Sequence, residues 1–143
     1  MKKSIRLLSI IAAIALILLA LPSCTHNNGD IGNFFGSWKL VSIQSSDLQP
    51  VEYQGDIFWD FQNSTISMII INDRHDTTQT YGNWSADDDI LTINFPDADY
   101  APLTELNLPR TCSMRIEKQT SKEMILNYQA STEQNFIYTF RKW

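Results

Sequence analysis

Cysteine is almost missing from this chain: Cys24 and Cys112 are the only two in 143 residues. A multi-disulfide scaffold and a four-cysteine zinc site are thereby excluded. Glycine and proline, five of each, are too scarce for a collagen-like or linker-dominated protein. Basic residues are outnumbered, 11 Lys+Arg against 16 Asp+Glu. A net charge of −5 argues against nucleic acid as a partner, because phosphate binding needs clustered cations. No Gly-X-Ser-X-Gly elbow, phosphate loop or dinucleotide fingerprint occurs, so no enzyme class and no cofactor is implied. What the chain does have is 43% hydrophobic and 11% aromatic content at a length that suits one folded domain.

The one long apolar run stands at the N-terminus. Lys2, Lys3 and Arg6 precede residues 7–21, in which Ser9 is the only polar residue. As a helix this run would span about 22 Å, short of the roughly 30 Å hydrocarbon core, so it reads as a signal peptide rather than a membrane anchor. Leu21-Pro22-Ser23-Cys24 follows and resembles the lipobox of bacterial lipoproteins. The resemblance implies cleavage before Cys24 and a diacylglycerol on its thiol, the lipid attachment site. Residues 1–23 are then the signal peptide, 24–33 a lipid-anchored flexible tether with solvated His26, and 34–143 the folded domain. Removing the three basic residues of 1–23 from the 11 leaves 8 against 16 acidic, a charge of −8. Membrane attachment is therefore expected from the lipid alone. Residues 25–28 hold neither an Asp just after Cys24 nor an acidic run, and the resemblance to bacterial lipoproteins then implies the outer membrane, facing the periplasm, as the default place in the cell envelope. With Cys24 acylated, Cys112 is expected to be an unpaired, small apolar residue at a strand start.

Beyond residue 34 apolar residues recur mainly at a period of two, the mark of strands. Eight are predicted: 35–44, 57–62, 65–72, 77–86, 89–95, 112–118, 123–129 and 134–142. Ile57/Trp59/Phe61, Leu91/Ile93/Phe95, Met124/Leu126/Tyr128 and Phe136/Tyr138/Phe140 would share one buried face. Between 65 and 72, Ile66, Met68 and Ile70 alternate, but Ile69 and Ile71 fill the other face. No sustained helical period appears, and one short turn at 31–36 is the best helical prospect. Long and short connections alternate: 44–56, 72–77, 95–111 and 129–134 against 62–65, 86–89 and 118–123. In an up-and-down meander this puts every longer loop at one end. The expectation is an all-β fold, an eight-stranded antiparallel up-and-down β-barrel, with Leu103, Leu106 and Leu108 docking the longest loop.

Gly36-Ser37-Trp38, at the start of the first strand, resembles the Gly-X-Trp signature of lipocalins. Together with the lipobox and eight strands, the chain is similar to the lipocalin-like lipoproteins of Bacteroidetes-type bacteria. The resemblance implies that Trp38 plugs the closed end and that a basic residue of the last strand packs across it. Arg141 is assigned that place, with Lys142 the alternative. A ligand cavity, if open, would be walled by Trp59, Phe61, Trp84, Leu91, Ile93, Leu126, Phe136 and Tyr138; the same residues could instead fill a solid core. Two functions follow: a membrane-anchored protein binding a small hydrophobic ligand in its barrel, or a protein-binding or inhibitor module using the long mouth loops. The polar run Asn72-Asp73-Arg74-His75-Asp76 offers a candidate base or metal ligand, yet its residue types are those of a turn, and no metal site is assigned. Asp87-Asp88-Asp89 lacks calcium-loop spacing and reads as a hairpin turn.

Overall fold

Alternation of buried and solvent-facing residues builds most of the described part of the protein. A computed structural model describes residues 32–46, 50–52, 55–96 and 100–143. The signal segment, Cys24 and residues 25–31 lie outside the described residues. Among the described residues the strands are β1 (Gly36–Ser45), β2 (Val51–Glu52), β3 (Asp56–Gln62), β4 (Thr65–Ile71), β5 (Thr77–Asp87), β6 (Ile90–Asn94), β7 (Thr111–Gln119), β8 (Glu123–Gln129) and β9 (Asn135–Lys142), together with the helix α1 (Tyr100–Glu105). Each long strand pairs antiparallel with the next, and β9 returns to β1. The result is a closed eight-stranded antiparallel barrel, with β2 a two-residue spur on the upper part of β1. Closure removes the free sheet edges that would otherwise invite aggregation.

The inward sets are the expected ones. Ile57, Trp59 and Phe61 are fully buried, as are Leu91 and Ile93, Leu126, Tyr138 and Phe140. On β1 the phase changes: Leu40 pairs with Phe140 while Ser42 pairs with Thr139, leaving Val41 as an extra residue. This bulge turns Ile43, not Ser42, toward the core. The tight turns gather at one end, the base. Asn63 and Asp88 take left-handed backbone there, with φ of 36° and 50°, a conformation their short polar side chains tolerate.

Two features depart from the sequence reading. The long 95–111 connection holds α1, and the 44–56 connection holds β2. Six residues are too few to show a helical period, and two too few to show alternation. The turn expected at 31–36 is present over residues 32–34.

Candidate functional site

The base of the barrel is closed by aromatic rings. Phe34, in the turn before β1, packs on Phe61 and Trp84 at 5.4 and 5.3 Å between centroids, and Phe61 meets Trp84 edge-on at 5.1 Å. Above them Trp59 lies 4.8 Å from Phe140. Trp38 is wholly buried, and its indole N–H donates to the Phe34 carbonyl at 2.7 Å. Gly36 makes this arrangement possible: its φ is 102°, and a Cβ there would stand 3.0 Å from Lys142 Nζ.

The cation across Trp38 is Lys142, not Arg141. Lys142 Nζ sits 4.4 Å from the Trp38 ring centroid and donates to the Phe35 carbonyl. The reason is alternation along β9: Phe136, Tyr138 and Phe140 point inward, so the next inward residue is Lys142, while Arg141 faces solvent. Burial lowers the Lys142 pKa, and the ring face and carbonyl compensate the charge.

At the opposite end, α1 and the turn after it close the barrel from above. Leu103 and Leu106 are fully buried and Leu108 nearly so. The Tyr138 hydroxyl, on the inner wall, donates to the Leu106 carbonyl at 2.5 Å. Cys112, Tyr128 and Phe136 surround this contact on β7, β8 and β9, near the strand ends that face the loop. The eight residues expected to wall a cavity are thus divided. Phe61 and Trp84 belong to the aromatic floor, whereas Leu126, Phe136 and Tyr138 belong to the upper half beneath the leucines. All share one core cluster, Trp84 as a half-buried member. Two polar atoms inside it stand out. The indole nitrogens of Trp59 and Trp84 are buried with no acceptor among the described residues.

Cys112 is a free, buried thiol. Burial pushes its pKa up to about 12, and burial raises the Tyr138 hydroxyl as well. Both groups hold their protons more tightly in the folded than in the unfolded chain. Stability should therefore be intact below about pH 9 and decline as pH climbs from there toward 12. Urea midpoints at pH 8, 10 and 11 test this; Cys112→Ala should flatten the decline, and an unchanged slope would remove the thiol as its cause.

Neither polar turn gathers chemistry. Asn72 Oδ1 accepts the backbone N–H groups of Arg74 and Asp76, each at 2.9 Å, and His75 adopts φ 65° with its side chain exposed. The asparagine shapes a loop. Asp87–Asp89 forms the β5–β6 turn. Among the described residues no group of three His, Cys, Asp or Glu could hold a metal ion.

Known proteins agree with this architecture. A lipocalin-like protein from Bacteroides uniformis superimposes with a TM-score of 0.67 at 23% identity, over 78% of this chain and 100% of that one. A protein from Bacteroides eggerthii gives 0.60 at 22% identity, over 77% and 99%. Japanin from Rhipicephalus appendiculatus, solved bound to cholesterol, gives 0.56 at 12% identity, over 78% and 76%. At these identities the likeness is one of fold. No functionally curated protein matches the sequence. The model of the lipocalin-like domain matches residues 17–143, and the chain therefore belongs to the lipocalin-like domain family.

Proposed function

We propose that this protein is a lipid-anchored lipoprotein of the cell envelope, held in the outer membrane facing the periplasm, whose barrel takes a small hydrophobic ligand beneath the α1 loop. The single observation that carries the reading is the loop itself. Leu103 and Leu106 are buried in the open end, and the Tyr138 hydroxyl ties the loop to the inner wall by donating to the Leu106 carbonyl. Leucines held this way are exchangeable for the apolar surface of a ligand when the loop lifts. Japanin, a protein of similar fold, was solved bound to cholesterol, and this supports an apolar ligand here. The unpaired Trp59 N–H supplies one donor for an acceptor oxygen on such a ligand. Burying about 200 Å² of apolar surface would contribute about 5 kcal/mol before association costs, which suits weak to moderate affinity.

The test uses the chain from residue 25 onward, titrated with fatty acids, sterols and aromatic compounds. Tryptophan emission should change saturably, and Cys112, under the loop, should become slower to label. Tyr138→Phe should raise the labelling rate about fivefold, the effect of losing a hydrogen bond worth about 1 kcal/mol. A second reading is favoured by the packed floor: inward positions are occupied by the protein's own side chains, as in a barrel that presents its loops to another protein. If no apolar compound gives a saturable response and Cys112 labelling is indifferent to all of them, that reading replaces the first. Anchoring has its own test. Cys24→Ala should abolish acylation, seen as the missing diglyceride mass, and a variant that keeps that mass would refute the lipobox assignment.

A further inference from the structure

The outer wall of the barrel is less polar than its strand pattern requires. Phe58 on β3 and Ile69 on β4 are register partners that face outward. Trp143, three-quarters exposed, leans edge-on over Phe58 at 5.4 Å, with Lys39 Nζ 5.1 Å from its ring. Exposed Phe35 lies just before β1, and exposed Tyr81 on β5 is the register partner of Ser67. On the other side of Trp143, the wall between β1, β9 and the β7–β8 turn carries a groove of about 340 Å³. Val41, the bulge residue, lines it with Thr139, Lys122, Glu123 and Arg141. Glu123 is already engaged by Lys118. The side chains of Lys122 and Arg141 have no hydrogen-bond or ion-pair partner among the described residues. Two unneutralised cations therefore flank one groove on a chain that is acidic overall, beside an exposed indole.

We propose that this lower wall, from β8 through β9 and β1 to β3, docks on a phospholipid surface, with a lipid phosphate seated between Lys122 and Arg141 and Trp143 resting at headgroup level. The proposal rests on the anchored reading for its orientation. Gly32, where the described chain begins, adjoins the base, and Cys24 lies eight residues earlier, a reach of at most about 28 Å. A barrel so tethered keeps its base within about 28 Å of the bilayer, near enough for its lower wall to reach the headgroups. Charge then selects the side. The Asp87–Asp89 turn, between β5 and β6, faces away from the cationic groove around the barrel and is repelled by lipid phosphate. Indoles favour the interface because one edge is apolar and the other donates a hydrogen bond. The acyl group is then not the only part of the protein that touches the membrane.

The acylated mature protein in vesicles of phosphatidylcholine with anionic phosphatidylglycerol, carrying a shallow spin label, tests this. Trp143 emission, taken as the difference between the protein and its Trp143→Phe variant, should be quenched by about half on the vesicles and hardly at all in detergent. Lys122→Glu with Arg141→Glu should weaken the docking at least about tenfold, while acylation and circular dichroism stay unchanged. Inorganic phosphate in detergent should leave Trp143 emission unaltered, which separates a lipid headgroup from the free ion. A protein that floats with vesicles but shows no Trp143-dependent quenching overturns the proposal. So does a dimer in solution that Trp143→Phe dissolves, since a second copy would then own the face. A mature chain without diglyceride mass refutes the anchor instead, and the same quenching at raised vesicle concentration still decides for or against the wall.

Discussion

Trp38→Ala should lower the unfolding free energy by about 3–5 kcal/mol, a large share of the stability of a domain this size. The indole is wholly buried, its N–H satisfied by the Phe34 carbonyl, and its face covered by Lys142. Truncation leaves a void at the narrow end, where closed strands cannot collapse to fill it. It also strips the half-buried Lys142 of the ring that offsets its desolvation. Guanidinium denaturation followed by circular dichroism measures the loss. A change under about 1 kcal/mol would mean that the base is not held by this residue. Trp38→Phe separates volume from hydrogen bonding, since it keeps most of the bulk and loses only the donor.

The second large effect is expected at Gly82, a position that sequence reading passed over. It sits on the inner face of β5, opposite Ile66. A Cβ placed there would stand 2.3 Å from the Asn94 carbonyl oxygen and 2.7 Å from a ring carbon of Phe95. The first of these is backbone, so no rotamer change relieves it. Gly82→Val should cost about 3 kcal/mol and should loosen the end of β6 that leads into the α1 loop. Amide exchange at residues 90–95 would rise ahead of the rest of the barrel. Wild-type stability in this variant would show that β6 can move aside at no cost.

The strands were legible because period-two alternation is the physical requirement of a sheet with one wet and one dry face. Trp59, Leu91, Leu126 and Tyr138 announced their burial by that period alone. Where the period was interrupted, legibility fell. At Val41 an inserted residue changes the phase, and the sequence shows it only as apolar residues moving from even to odd positions. On β9 the alternation itself favours Lys142, and the family resemblance had drawn attention to its neighbour Arg141. The leucines of the long loop foretold docking, though not the short helix that delivers them, which is fixed by tertiary contact rather than by local periodicity. Ile69 and Ile71 stood out as apolar residues on the wrong face, and the exposed wall is what they mark. Gly82 carried no local signal, since its need arises from a strand nearly a dozen residues away.

The pairing of β9 with β1 has a consequence for how the protein is made. Trp38 faces Lys142 in that ladder, so the last contacts join residues roughly a hundred positions apart. Until the final eight-residue strand is present, β1 and β8 both offer unpaired edges, and Trp38 lacks its cation. A chain that emerges from its N-terminus onward during synthesis therefore stays open until β9 has been made. Closure of the barrel is thus the step that waits for the whole domain to be present.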